Sequence, residues 1–134
     1  MSKSVIYTVN TTTQEIADGG TVALGSIVRR YGCNLALSGN TILISGPGYY
    51  SLDCTVIAAP TAAGTITATL YRNGVELPGS RASFTVAAAG DVVTLPIIGE
   101  VRQVCACQEP IEITCVLSGV ESSVSNVTFR VKKD

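Results

Sequence analysis

Apolar and polar residues alternate along most of this chain with a period of two. The longest run begins at Tyr50, where every second residue up to Ala58 is apolar, while Ser51, Asp53 and Thr55 lie between them. Successive side chains of a β-strand point to opposite faces of a sheet, so this pattern predicts a strand with one buried and one more polar face. No stretch has the 3.6-residue period of an amphipathic helix. The pattern therefore predicts an all-β protein.

Turn residues divide the chain into eight to ten predicted strands. Asn73-Gly74 is typical of a two-residue hairpin loop, because both residues tolerate positive φ. Pro78-Gly79 predicts a further turn, and Pro96 predicts an edge strand or a bulge, because proline cannot donate to a strand ladder. In a chain built only of strands, the unpaired edges of the sheets must be covered or closed. Residues 1–134 are therefore predicted to form one sandwich or barrel that associates with copies of itself.

The apolar phase of these strands supplies the predicted core. Two of its members, Cys54 and Cys115, are interpreted as small buried hydrophobic residues. An aspartate at Leu52 or Phe129 would place a charge in this layer and is expected to prevent folding. The ten predicted core residues are Tyr50, Leu52, Cys54, Val56, Ile66, Leu70, Phe84, Ile113, Cys115 and Phe129.

The composition indicates a surface that is partly covered by another subunit. Only 14% of the 134 residues are charged, against about 25% in ordinary soluble domains, while 46% are hydrophobic. The polar surface must therefore come largely from serine, threonine, asparagine and glycine. The net charge is −1 and the basic residues are scattered, so no nucleic-acid partner is expected.

The chain contains no histidine, which removes the commonest general base and the commonest metal ligand in proteins. Nucleophile pairs of serine or cysteine with histidine are excluded for the same reason, and no pair of acidic residues stands out. The sequence therefore predicts a protein without enzymatic activity and without a cofactor.

The five cysteines do not predict a disulfide framework, because their number is odd and no export signal is present. Cys105 and Cys107 would lie on the same face of a strand. A zinc site would need a second close pair of cysteines or histidines, and Cys115 alone does not supply it. We therefore expect no metal site.

The sequence gives no sign of export or of membrane insertion. No apolar run of signal-peptide length follows Met1, and no stretch approaches the roughly 20 apolar residues of a membrane span. We expect synthesis in the cytoplasm and no membrane partner. A location outside the cell would then require another route, such as release with a particle.

Three segments of the chain together resemble a known family. They are Gly48-x-Tyr50-x-Leu52-x-Cys54, then Leu70-Tyr71-Arg72-Asn73-Gly74 with residues 75–80, then Gly90-Asp91-x-Val93-x-Leu95. Their order, followed by a final Val-x-Phe-x-Val strand, resembles the tumour-necrosis-factor-like jelly rolls. Within that family the chain is most similar to complement-type globular heads and to the C-terminal heads of bacterial collagen-like spore-surface glycoproteins. The resemblance covers residues 40–131.

The resemblance implies an antiparallel two-sheet jelly-roll sandwich that forms a homotrimer about a threefold axis and functions by display. In such a trimer, the strands at Tyr49 and Val92 and the terminal strand would lie in the sheet that faces the axis. The residues implied as candidates for contact between subunits are Tyr49, Asp53, Thr128 and Arg130. The alternative, that these four are ordinary solvated positions, stays open.

The chain has no collagen-like stalk, and small jelly rolls of this design resemble accessory virion proteins of tailed bacteriophages. The expected function is a trimeric capsid decoration or a head or tail fibre on the virion surface, with a major capsid protein as a potential partner. Residues 1–14 would then be an anchor or a swapped strand. The alternatives are a bacterial surface or spore-coat head and a carbohydrate-binding module. A glycan partner has little support, because the chain has no tryptophan and its tyrosines form no visible cluster.

Overall fold

The computed structural model describes residues 4–104 and 109–134, and twelve β-strands lie within these two ranges. In chain order the strands are β1 (Val5–Asn10), β2 (Gln14–Ile16), β3 (Gly20–Thr21), β4 (Ser26–Tyr31), β5 (Leu35–Ser38), β6 (Thr41–Ile44), β7 (Gly48–Pro60), β8 (Gly64–Arg72), β9 (Val75–Val86), β10 (Val93–Gln103), β11 (Ile111–Ser118) and β12 (Ser122–Lys133).

The strands form two antiparallel sheets that face each other across one core. Sheet I has the strand order β10-β7-β12-β1-β4, and β2 pairs with the start of β12. Sheet II has the order β5-β6-β11-β8-β9, and β3 pairs with the end of β11. The chain crosses repeatedly from one sheet to the other, which is the connectivity of a jelly roll. The predicted two-sheet jelly-roll sandwich is confirmed.

The described residues hold more strands than the eight to ten that the sequence predicts. The surplus is explained by β2 and β3, which are only three and two residues long. β7, β10 and β12 are neighbours in sheet I, as the family resemblance implies for the strands at Tyr49, at Val92 and at the C-terminus.

The core lies between the two sheets and is made by the inward phase of each strand. Nine of the ten predicted core residues are at most 2% exposed. The tenth prediction, Phe84, is wrong, because this side chain is 53% exposed. Phe84 pairs with the buried Ile66, so it lies on the inward face of sheet II. It is exposed because β9 is the edge strand of that sheet and has a neighbour on one side only.

The sequence predictions at the two prolines Pro96 and Pro78 have different outcomes in the structure. Pro96 lies in β10, the edge strand of sheet I, as its missing N–H predicts. The turn predicted at Pro78-Gly79 does not end a strand, because both residues lie inside β9. The ladder between β8 and β9 instead shifts register near these residues, and Gly79 takes a φ of +81°. The segment is therefore a bulge in a continuous strand.

Gly25 lies in the segment between β3 and β4, and its substitution by alanine would show how closely this segment packs against β1. Its φ is +84°, and an added Cβ would lie 2.3 Å from the carbonyl oxygen of Val9. Gly90 has a similar φ of +88° with no atom within 4 Å of such a Cβ. We expect Gly90→Ala to lower the free energy of unfolding by about 1–2 kcal/mol through backbone strain alone. Gly25→Ala should lower it by about 1–3 kcal/mol more, through the added steric overlap.

Urea unfolding of both variants measures this difference. Equal losses at the two positions would show that the segment before β4 does not lie against β1 in the folded protein.

Candidate interaction surface

The outward side of sheet I, here called the outer face, is formed by every second residue of five neighbouring strands. Directly paired residues of antiparallel strands lie on the same side of a sheet, so the register arranges these side chains in rows. Thr55 and Thr128 are paired in one row. The adjacent row runs from the β10 edge to the β4 edge and consists of Ile98, Asp53, Arg130, Tyr7 and Arg29.

A shallow pocket of 330 Å³ opens on the outer face. Val5 and the ring of Tyr7 give the pocket apolar surface, whereas the hydroxyl and guanidinium groups give it hydrogen-bonding capacity. The single carboxylate of the lining, Asp53, is engaged by Arg130. The arrangement therefore suits packing and hydrogen bonding rather than proton transfer. The lining residues are Val5, Tyr7, Arg29, Asp53, Thr55, Thr128 and Arg130.

Asp53 and Arg130 neutralise each other at the centre of this surface. Nη2 of Arg130 donates a hydrogen bond to Oδ2 of Asp53 over 2.9 Å. The side chains of Arg130 and Asp53 are 56% and 49% exposed, so in a single chain the pair stabilises by about 1 kcal/mol or less. A pair that is already matched in this way leaves no unpaired charge when a partner covers it, which makes burial of the surface less unfavourable.

The structure brings together three of the four predicted contact residues. Asp53, Thr128 and Arg130 line the same pocket. Tyr49 lies apart from them near the start of β7, where the guanidinium carbon of Arg102 is 5.4 Å from the centre of its ring. Whether any of the four contacts another subunit stays a prediction.

Sequence reasoning missed the contributions of β1 and β4 to this pocket, namely Val5, Tyr7 and Arg29. A signal was present in β1. Val5 and Tyr7 lie on the outer face, while Ile6 between them is fully buried on the inward face. A strand that is apolar on both faces is typical of a strand that is covered on both sides.

The edge of the sandwich formed by β9 and β10, here called the β9–β10 edge, exposes apolar side chains. Ile98 of β10 is 69% exposed, and Phe84 of β9 is 53% exposed. A groove of 440 Å³ lies between Pro78-Gly79 and the outer face, and Gly99 and Glu100 contribute to its lining. Ile98 and Glu100 are outward residues of β10, so this edge adjoins the outer face. One molecule therefore presents two adjoining but dissimilar surfaces, a polar pocket and an apolar edge that carries a carboxylate.

The exposed tyrosines do not form a free stacking platform for a sugar. The guanidinium carbon of Arg29 is 5.1 Å from the ring centre of Tyr31, in the manner of Arg102 over Tyr49. One face of each ring is thus occupied by a cation.

Tyr50 is fully buried, and its hydroxyl donates to the carbonyl oxygens that precede β7. Burial, with a smaller effect of Cys33, raises the pKa of Tyr50 above its ordinary value.

Metal-binding geometry is absent from the described part of the chain, where no three or more Cys, Asp or Glu side chains group around a common point. The predicted same-face pair Cys105 and Cys107 lies outside the described residues. Among residues 4–104 and 109–134 there is also no helix with the length and apolarity of a membrane span.

Comparison with solved structures places the fold in a known class. Murine APRIL at pH 5.0 matches with a TM-score of 0.78 and 17% identity, over 99% of this chain and 100% of that chain. The globular domain of the zebrafish complement 1qA protein matches with a TM-score of 0.62 and 10% identity, over 96% and 94% of the two chains. PRD1 vertex protein P5 matches with a TM-score of 0.54 and 11% identity, over 97% and 96%.

These structures identify the class of the fold. No family model and no curated protein matches the sequence. The chain has a tumour-necrosis-factor-like jelly roll of the kind also found in complement-type globular heads and in a phage vertex protein, and the resemblance drawn from the sequence is thereby confirmed.

Proposed function

We propose that the chain is one subunit of a non-enzymatic homotrimer that functions by display, as a bacteriophage capsid decoration or as a head or tail fibre. The observation that carries the proposal is the outer face of sheet I. Its central charges pair with each other at 2.9 Å, and the rest of its pocket is lined by threonine, valine and tyrosine side chains and by Arg29. Such a surface suits burial against a partner of the same kind.

The two dissimilar surfaces of one molecule suggest how the trimer closes. The apolar β9–β10 edge of one subunit, with Ile98 and Phe84, would pack against the outer face of the next subunit around Tyr7. Glu100, beside the edge, and Arg29, on the outer face, have opposite charges and have no salt-bridge partner among the described residues. A contact between unlike surfaces generates a closed ring when its rotation is one third of a turn.

The location on a virion is supported by one of the structural matches. PRD1 P5 is named as a vertex protein, and its match extends over nearly the whole of both chains. The other matches are ligand or structural domains, in keeping with a role in display. On this proposal the partners are two sister subunits and a virion component such as a major capsid protein, and the protein lies on the virion surface.

The N-terminal segment, residues 1–14, is proposed as the attachment to the particle or as a strand exchanged between subunits. Val5–Asn10 forms β1, which lies between β12 and β4 and buries Ile6 completely. An exchange would therefore replace β1 of one subunit by β1 of its neighbour, at the same position in sheet I.

Light scattering of the purified protein at about 10 μM tests the assembly. The expected mass is three times the 13.8 kDa of one chain, and a monomer at this concentration would remove the basis of the proposal.

Mass spectrometry of purified phage particles tests the location. Detection of the chain in intact particles is expected, and its absence from particles would redirect the assignment to a bacterial surface or spore-coat head.

A further inference from the structure

The pocket on the outer face contains one guanidinium group that no carboxylate of its lining neutralises. Arg130 is paired with Asp53, which is the single carboxylate of the lining. Arg29 belongs to the same lining and makes no salt bridge among the described residues. Two arginines and one aspartate give the lining a net charge of +1. The pocket therefore attracts an anion.

Tyr31 orients the guanidinium of Arg29. Both residues lie on the outward side of β4, and the guanidinium carbon is 5.1 Å from the centre of the ring. The ring covers only one face of the planar group, so the N–H donors at its edge stay available. Two neighbouring donors at that edge match the two oxygens of a carboxylate or of a phosphate group. Arg29 is therefore suited to bind an oxyanion in a fixed orientation.

Hydroxyl groups supply further donors in the same pocket. Tyr7 is the paired neighbour of Arg29 in β1, and Thr128 and Thr55 line the pocket from β12 and β7. The side chains of all three are half-buried. Every hydroxyl hydrogen bond found among the described residues belongs to other side chains. The three hydroxyls are therefore free to bind a ligand.

We propose that this pocket binds a small molecule that carries a carboxylate or a phosphate group. Arg29 holds the oxyanion through two parallel hydrogen bonds, Tyr7 donates to it, and the threonines bind the polar remainder of the ligand. Val5 adds apolar contact within the lining. The volume of 330 Å³ is at the lower end for small-molecule sites, so the ligand is a small organic acid or a phosphate ester rather than a polymer.

The inference deepens the proposed function, because the same pocket lies at the proposed contact between subunits. Binding itself needs one chain only, whereas enclosure of the ligand between two subunits rests on the proposed function. A guanidinium has five N–H donors, so Arg29 can serve the ligand and the carboxylate of Glu100 from the next subunit together.

Thermal unfolding in inorganic phosphate and in acetate, each compared with sodium chloride of equal ionic strength, tests the site. Phosphate also stabilises proteins by exclusion from their surface, so the result is read as a difference between variants. Arg29→Gln removes the group that holds the oxyanion. Arg102→Gln is the matched control, because Arg102 is also exposed and stacks on Tyr49 of the outer face, but does not line the pocket.

At about 50 mM anion and a dissociation constant of about 1 mM, the melting temperature of the unmutated chain should rise by about 5–10 °C more than that of Arg29→Gln. Arg102→Gln should rise as much as the unmutated chain. A difference in phosphate alone would assign the ligand as a phosphate ester, and one in acetate alone as an organic acid. Equal changes in all three proteins, in both anions, would overturn the inference.

Light scattering of the same samples separates this inference from the proposed function. Monomers that pass the phosphate or acetate test would retain the site and exclude the trimer, whereas trimers that fail both would do the reverse. Glu100→Gln is expected to show the same rise as the unmutated chain. A rise that occurs only in Glu100→Gln would show that the carboxylate of the next subunit already occupies the pocket, which would contradict binding of a free ligand.

Discussion

Phe129→Asp is expected to leave no folded protein in the soluble fraction. Phe129 is fully buried and lies in β12, at the centre of sheet I between β7 and β1. Loss of a buried phenylalanine side chain alone lowers the free energy of unfolding by about 3–5 kcal/mol. The buried layer contains no lysine or arginine among the described residues. A carboxylate placed there must either stay uncompensated or take up a proton, which adds several kcal/mol. Domains of this size are stable by about 5–15 kcal/mol in total.

Leu52→Asp should have the same outcome, because Leu52 is 1% exposed in the neighbouring strand β7. Two controls separate the charge from the position. Phe129→Leu keeps the layer apolar and should lower the free energy of unfolding by only about 1–2 kcal/mol. Lys132→Asp places the same carboxylate on an exposed position of β12 and should change stability by about 0.5 kcal/mol or less.

The measurements are the soluble yield, the far-ultraviolet circular dichroism and the melting temperature of the four variants. A Phe129→Asp protein that melts near the unmutated one would show that the inward phase of β12 has been assigned to the wrong residues.

Local signals in the sequence were sufficient to predict most of the strands. In β7 the alternation of apolar and polar residues from Tyr50 to Val56 follows the alternation of buried and half-buried side chains. The hairpin at Asn73-Gly74 also forms, with φ values of +50° and +83°. Both features arise from a residue and its immediate neighbours, since period and positive φ are properties of the backbone at that point.

The errors concern properties that depend on strand order. Phe84 is in the inward phase, but its exposure follows from the position of β9 at a sheet edge. Pro78-Gly79 remains within β9 because an edge strand can bulge where it has no neighbour to pair with. Strand order is set by contacts between residues that are distant in the sequence, and a period of two carries no information about them.

In the candidate surface, too, some features follow from the local sequence and others depend on the strand order. Asp53 and Arg130 are both contact candidates implied by the family resemblance, but their ion pair joins residues 77 positions apart and depends on the register of β7 against β12. Arg29 enters the pocket only because β4 pairs with β1 at the far edge of sheet I. Residues on a surface can thus be predicted from strand phase, whereas the pocket they form requires the sheet topology.

If the proposed trimer forms through the outer face, Thr128→Arg is expected to convert it to monomers at micromolar concentration without unfolding the chain. Thr128 lies on the outer face, at the pocket and one row from the Asp53–Arg130 pair. An arginine there remains solvated in a free subunit. In the proposed trimer it would bury an uncompensated cation in each of three contacts, at a cost of about 3–5 kcal/mol per contact. A loss of this size weakens each contact at least a hundredfold.

Thr67→Arg is the matched control. Thr67 is a half-buried threonine on the outward side of sheet II, in strand β8 between β11 and the edge strand β9, and its hydroxyl lies 2.9 Å from that of Ser83. The substitution adds the same side chain and removes one exposed hydrogen bond, yet should leave the mass of the assembly unchanged. Light scattering distinguishes the two surfaces directly. Dissociation caused by Thr67→Arg but not by Thr128→Arg would assign the contact between subunits to sheet II, because only the covered sheet is sensitive to an added charge.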